Sequence, residues 1–390
     1  MKKIEDFKDL YQKKVLVRLD LNVPLKNKEI TDTTRIDKIL PTLNFLIQQK
    51  SKIIIISHIG RPKGKTNSAL SMAPVCEYLS KKLSKKVDLL NQNLFEIKPE
   101  EIFDKGDDKI VFFENIRFYE QEEKNDEEFA KMLSKFGEIF VNDAFSCSHR
   151  AHASVDKIAK YLPSYCGLQM STEIDALKKV TSDIDRPITC IIGGSKISTK
   201  ISVIKNLIPK FENIVIVGGM ANNFLEYNGH NIGKSLKEDN CNPIVEEILF
   251  LAKENKCNVL IPTDVSVGKN LEDSKTIKRL SEIEEDDLIL DIGPKTIQLI
   301  CSLLENSKTV LWNGPLGYFE NSNFAIGSIE IAKKIVDLKD KIYSVAGGGD
   351  TIAVLNQAGA FKQLNFVSTA GGAFLEYLEG KEIPGIRALN

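Results

Sequence analysis

Short, nearly unbroken apolar runs recur along the chain, each followed by a stretch long enough for a helix. They predict strands at 14–20 (KVLVRLD), 52–58 (KIIIISH), 109–115 (KIVFFEN), 138–145 (EIFVNDAF) and 188–194 (ITCIIGG). Further strands are predicted at 213–219 (NIVIVGG), 258–265 (NVLIPTDV), 309–314 (TVLWNG), 341–349 (KIYSVAGGG) and 365–369 (NFVST). Continuous rather than alternating apolar residues suit parallel strands covered on both faces. Helical patterns fall between them at 38–50, 127–136, 199–208, 243–255, 296–305 and 326–338. The alternation predicts α/β architecture with mainly parallel sheets and right-handed crossovers. The strands form two groups, separated by a helical pattern over 166–180 (CGLQMSTEIDALKKV) that SDIDRP then breaks. We place a domain boundary on that connector, where motion would be a hinge at helix ends rather than a loose tether. A length of 390 residues agrees with two or three domains at about 150 residues each.

In parallel sheets ligands bind beyond the carboxyl ends of the strands. The polar residues cluster there. The first half places Arg35, Arg61, Arg117 and Arg150 with His58, His149 and His152 after its strands. Arginine gives planar, bidentate recognition of phosphate and carboxylate, so this set predicts a small, highly anionic ligand. The bland reading is a scatter of separate surface arginines. His149 and His152 stand three apart, but no third ligand lies at metal-binding spacing, which favours anion contact or capping. Asp20 and Asn22 either bind ligand hydroxyls or cap a loop, and spacing leaves both open. EEKNDEE (122–128) reads as solvated acidic surface.

The second half offers glycine instead: Gly193-Gly194, Gly218-Gly219, Gly347-Gly348-Gly349 and Gly371-Gly372. Glycine lets backbone N–H groups approach a phosphate, and a following helix adds its positive end. GGGDT before IAVLN is such a loop-to-helix entry, with Asp350 placed for Mg²⁺. In GGSKISTK, Lys196 and Lys200 are four apart, which predicts a phosphate clamp on one face of a starting helix. Other motifs fail. GHNIGKS (229–235) has three residues between its glycines rather than four and follows no strand, so it is not a P-loop. No GxGxxG follows the first strand, which counts against a dinucleotide enzyme.

Composition narrows the classes further. With 53 Lys+Arg against 54 Asp+Glu the net charge is −1, which argues against a polybasic nucleic-acid binder. The seven cysteines are scattered with no CxxC, which reads as reduced thiols in a cytoplasmic protein. MKKIEDFKDL lacks an apolar signal region, and the strongest apolar run, Ile53 to Ile56, is far short of the ~20 residues that span a bilayer.

Taken in order, RLDLNVPL (18–25), TRI (34–36), SHIGRP (57–62), ENIRF (114–118), VNDAFSCSHRAHAS (141–154) and GGSKISTK (193–200) form a longer pattern. GGMANNF (218–224), NIGKSL (231–236), DIGPKT (291–296), LWNGPLGYFE (311–320), AGGGDT (346–351) and VSTAGGAFLEYLEGK (367–381) continue it. The chain resembles the phosphoglycerate kinase family along essentially its whole length. The resemblance implies two Rossmann-like three-layer α/β/α domains joined by a helical hinge. One, residues 1–168 with the C-terminal tail 378–390, would bind 3-phosphoglycerate or 1,3-bisphosphoglycerate. The other, residues 169–377, would bind ATP or ADP with Mg²⁺. It further implies a monomer that works by hinge closure.

By resemblance, Asp20 and Asn22 contact the hydroxyl and carboxyl end of the glycerate. Arg35, His58, Arg61, Arg117 and Arg150 form a basic patch, of which Arg35 swings to the transferring phosphoryl group. Lys196 accompanies that group, Lys200 and Asn313 lie on the nucleotide phosphates, and Glu320 contacts the ribose. Gly348, Gly349 and Thr351 form the phosphate loop, Asp350 holds the metal, and Gly371 with Gly372 supply transition-state amides. Two departures from the family pattern stand out. Ala370 replaces the first of three glycines, which matters only if that position has positive φ. SCS (146–148) stands where Gly-Thr-Ala is commoner. The alternative reading is a catalytically silent nucleotide-binding scaffold of the same fold; intact Arg35, Arg61, Lys196 and Asp350 weigh against it.

Overall fold

Each predicted run holds a strand, and most strands stop where the polar tail of the run begins. The computed structural model describes residues 1–103 and 109–390. The chain divides into two units, residues 1–174 with 382–390 and residues 175–381. The first contains a six-stranded parallel sheet in the order Val87–Leu90, Ile110–Phe113, Lys52–Ile56, Lys14–Leu19, Ile139–Asp143, Ser164–Cys166. Lys14–Leu19 is central, and its Val17 lies across from Ile55 on one side and Val141 on the other. Successive side chains of a strand face opposite sides of the sheet. Val15 and Val17 accordingly pack with Ile36, Leu43 and Ile53, while Leu16 packs on the other face with Ile54, Phe113 and Phe140. Burial on both faces is why these runs are apolar throughout.

The second unit repeats the plan. Its parallel sheet runs Asn258–Leu260, Asn213–Ile216, Ile188–Ile192, Thr309–Asn313, Tyr343–Gly347, Phe366–Ser368. Trp312, fully buried, packs with Ile191, Val215 and Ile331 in its core. One expectation fails. The run 258–265 is two strands, not one: Asn258–Leu260 joins the parallel sheet, whereas Asp264–Gly268 pairs antiparallel with Thr276–Arg279 and Leu288–Ile292. Pro262 sits at the break between the edge strand Asn258–Leu260 and Asp264–Gly268, where its fixed φ and missing N–H suit a turn between the two sheets.

The helix Leu168–Lys179 carries the chain from the first unit into the second. Residues 382–390 then belong to the first unit again. Arg387 Nη2 donates to Asp156 at 3.0 Å, and Gly385 packs so closely on Ser148 that a Cβ would sit 2.6 Å from its side chain. Six cysteines are buried, Cys301 is half-buried, and none is disulfide-bonded. Among the described residues no helix is long and apolar enough to cross a membrane.

Candidate active site

In the first unit the strand order reverses at Lys14–Leu19, because the next strands in sequence add on one side and later ones on the other. Such a switch point opens a crevice at the carboxyl ends. Asp20 stands at its base, 9% exposed, and accepts from Arg35 Nη1 at 2.8 Å. Asn22 Oδ1 accepts the Gly60 N–H at 2.9 Å, which ties the first strand-end loop to the second. Arg117, on a 3₁₀ turn after Ile110–Phe113, donates from Nη1 to Gly60 O at 3.1 Å. Arg150 Nε donates to His149 at 3.2 Å, and Arg61 is exposed. The first unit thus brings Asp20 to Arg35 and Asn22 and Arg117 to Gly60.

His58 is buried at the same end of the sheet. Arg18 Nη2 lies 2.9 Å from its Nδ1. Arginine has donors only, so Nδ1 accepts and the ring is neutral with its proton on Nε2. Burial, reinforced by Arg18 and Arg117, holds the His58 pKa well below the usual histidine range. His152 is pushed down to about 3, chiefly by burial and then by Arg117 and Arg18. Arg18 is itself fully buried. Its Nε donates to Ser154 Oγ at 3.0 Å, and Ser154 donates from Oγ and backbone N–H to Glu122 at 2.6 and 2.9 Å. Burial pushes the Glu122 carboxyl upward while Arg18 and the two Ser154 bonds oppose it.

Three sequence expectations change here. Glu122 is not solvated surface: it is fully buried and closes a chain Glu122–Ser154–Arg18–His58. Arg35 does not lie on a strand-end loop but in the first turn of the helix Thr34–Gln48. Lys196 and Lys200 do not share a helix face, since the helix begins at Ile201, with Lys200 capping it and Lys196 in the loop before.

In the second unit the order reverses between Ile188–Ile192 and Thr309–Asn313, and the loops following them touch. A Cβ on Gly193 would lie 2.0 Å from Pro315 O, and one on Gly314, at φ +99°, would lie 2.1 Å from Gly193 O. Lys200 Nζ donates to Asn313 Oδ1, and Asn313 Nδ2 donates to Gly347 O at 2.6 Å. Thr351 Oγ1 accepts the Gly314 N–H at 2.7 Å. Lys200, Asn313, Gly314 and Thr351 therefore form one bonded group beside the loop Gly348-Gly349, which opens the helix Gly349–Gln357. Burial lowers the Lys200 pKa. A cleft of about 510 Å³ adjoins, lined by Gly194, Gly218, Leu236, Leu271, Glu320 and Asp350 among others. Leu236 and Leu271, whose side chains are partly exposed, were not singled out in the sequence, because a lone surface leucine has no pattern. Gly371, at φ +54°, and Gly372 open the helix Gly372–Leu378; Ala370 is outside the positive-φ region, so its Cβ is tolerated without backbone strain.

Asp350 is exposed in the first turn of its helix and lines the cleft. One carboxylate joined by phosphate oxygens and waters is a donor set that Mg²⁺ accepts. Among the described residues the one cluster of three potential ligands is Glu284, Asp286 and Asp287, and Lys269 bonds all three at 2.8, 2.6 and 2.9 Å. That cluster reads as an ion-pair network in the loops that flank the antiparallel strands.

Arginines and histidines near the strand ends of one unit, and a glycine-lined cleft at those of the other, define an α/β protein of the class that binds phosphate-bearing ligands. A family model described as phosphoglycerate kinase matches residues 4–381. A phosphoglycerate kinase of Wolbachia pipientis wMel is 47% identical over 387 residues, covering 98% of this chain and 96% of its own. One from Chelativorans sp. (strain BNC1) is 42% identical over 393 residues, covering 100% and 98%. Among solved structures, phosphoglycerate kinase from Coxiella burnetii superposes with a TM-score of 0.93 at 38% identity, over 99% of this chain and 98% of that one. The chain belongs to the phosphoglycerate kinase family.

Proposed function

We propose that this protein catalyses reversible, Mg²⁺-dependent phosphoryl transfer between 1,3-bisphosphoglycerate with ADP and 3-phosphoglycerate with ATP. The observation that carries the reading is chemical: the groups gathered at the strand ends of each unit are chiefly cations, neutral donors and glycine amides, and their carboxylates, Asp20, Glu320 and Asp350, are assigned binding roles rather than proton transfer. When ATP is consumed the nucleophile is a carboxylate, ionised at neutral pH, so no general base is required. Catalysis then rests on in-line positioning and on neutralising charge at the transferring group.

In this reading Asp20 and Asn22 meet the glycerate, and His58, Arg61, Arg117 and Arg150 grip its fixed phosphate. The neutral His58 contributes an Nε2–H donor without adding charge. Lys200, Asn313 and the Gly348-Gly349 amides take the nucleotide phosphates, with Thr351 bracing the Gly314 amide. Glu320 takes the ribose. Asp350 would hold Mg²⁺, which supplies charge neutralisation at the phosphates. Arg35 and Lys196 serve the phosphoryl group itself, with Gly371 and Gly372 as amide donors. Transfer requires the two substrates in line, so the reading includes closure of the units about the connecting helix, which also keeps water from receiving the phosphoryl group.

The test is a coupled assay with 3-phosphoglycerate, Mg-ATP and glyceraldehyde-3-phosphate dehydrogenase, following NADH oxidation. Turnover by the purified protein is expected; none above background would establish the silent scaffold instead. Arg117→Ala is expected to raise KM for 3-phosphoglycerate by about 10–100-fold, the scale of a lost hydrogen bond to a charged group, with a smaller change in kcat. Steady-state kinetics with each substrate varied in turn checks this.

A further inference from the structure

The Asp20 carboxylate is held from two directions, and one holder lies where the chain departs from the family pattern. Oδ1 accepts from Arg35 Nη1 at 2.8 Å and lies 3.4 Å from the Asn22 N–H. Oδ2 accepts from the hydroxyl of Ser146. Ser146 is the first residue of SCS, the position where glycine is commoner in the family. It is half-buried in the helical turn Phe145–Ser148, which follows the strand Ile139–Asp143. That turn is anchored: Ser148 Oγ donates to Ala144 O at 2.9 Å and accepts from Asn142 Nδ2 at 3.2 Å. The Ser146 hydroxyl is therefore presented from a fixed frame.

We propose that Ser146 is a positioning residue for the glycerate end of the substrate site, an inference that rests on the kinase reading above. A carboxylate turns easily about its terminal torsion, since that well is broad. With Arg35 alone as its side-chain partner, Asp20 would turn whenever Arg35 moved toward the phosphoryl group. The Ser146 bond sets the carboxylate plane independently of Arg35. Oδ1 then stays aimed at the substrate hydroxyl after the guanidinium leaves, and less ordering is left for the binding step. Among the described residues Ser146 is the one protein donor to Oδ2, so its removal leaves that oxygen without a protein donor. The feature serves recognition of a short hydroxy acid rather than phosphate, because Ser146 acts through Asp20 and not through the arginines.

The experiment compares Ser146→Ala, Ser146→Gly and Ser146→Thr with the full-length wild type. It measures KM for 3-phosphoglycerate and for Mg-ATP separately, and binding of 3-phosphoglycerate alone by calorimetry. Ala and Gly are each expected to raise KM and Kd for 3-phosphoglycerate about tenfold, the low end for losing a bond to a charged group. KM for Mg-ATP should not move, and Thr, which keeps the hydroxyl, should restore the wild-type values. In an Asp20→Asn background the same Ala substitution should change these values by less than about twofold, because coupled residues are not additive. A merely structural role would move both substrates together and would survive the Asp20 change. An active wild type with unaltered 3-phosphoglycerate KM and Kd in both Ala and Gly variants overturns the Ser146 role alone. Absence of turnover by the wild type strikes the kinase reading, and the calorimetric comparison still decides on Ser146.

Discussion

Arg35→Ala and Lys196→Ala are each expected to lower kcat by about 10²–10⁵ while leaving the fold intact, the range spanned by oxyanion donors and arginine fingers. Lys196 is exposed in the loop between Ile188–Ile192 and the helix from Ile201, so its truncation removes little packing. Arg35 is half-buried and bonded to Asp20, which keeps the Ser146 bond when Arg35 is lost. In the kinase reading both residues act on the transferring phosphoryl group, so the loss should fall on kcat more than on KM. The coupled assay gives both constants, and calorimetric melting confirms that folding is unchanged. A kcat near wild type in either variant would remove that residue from the transition state.

Glu122→Ala is expected to destabilise the first unit by roughly 3–5 kcal/mol, the usual cost of stripping one partner from a buried charge. Arg18 would stay fully buried without the carboxylate that reaches it through Ser154, and Ser154 would lose the acceptor for both its donors. For a unit of this size the melting temperature should fall by on the order of 10 °C. Glu122→Gln, which keeps the shape and one acceptor, should fall less. Scanning calorimetry reads both. A Glu122→Ala protein that melts within about 2 °C of wild type would show that Arg18 is neutralised some other way.

Glu122 also marks where sequence reading ends. Strands and loops were legible because burial on both faces makes an apolar run, and because four glycine pairs or triplets recur after such runs in one half of the chain, where a single pair would read as a turn. Arg117 and Asp350 stand in segments that follow strands, whereas Arg35 and Lys200 stand at helix starts, which the run pattern did not distinguish. Glu122 lies in EEKNDEE, where every neighbour is polar, and its partner Ser154 is 32 residues away. Arg18 looked like the polar end of a strand, and its contact with His58 spans 40 residues. Pairing at such separations leaves no local period. The split of 258–265 was hidden differently: Pro262 was visible, but the antiparallel strands that receive Asp264–Gly268 include Thr276–Arg279, which is mostly exposed and carries no apolar run.

The return of residues 382–390 to the first unit sets an order on the making of the protein. A ribosome adds about 5–20 residues per second and releases domains from the N-terminus onward. The stretch carrying Gly385 and Arg387, which covers Ser148 and pairs with Asp156, is translated only after all of the second unit. The unit begun first is finished last. Until residues 382–390 are made, the helical turn Phe145–Ser148 lacks the cover that Gly385 gives to Ser148. A stop codon within those residues would leave the first unit without this cover while the second unit, residues 175–381, is already made.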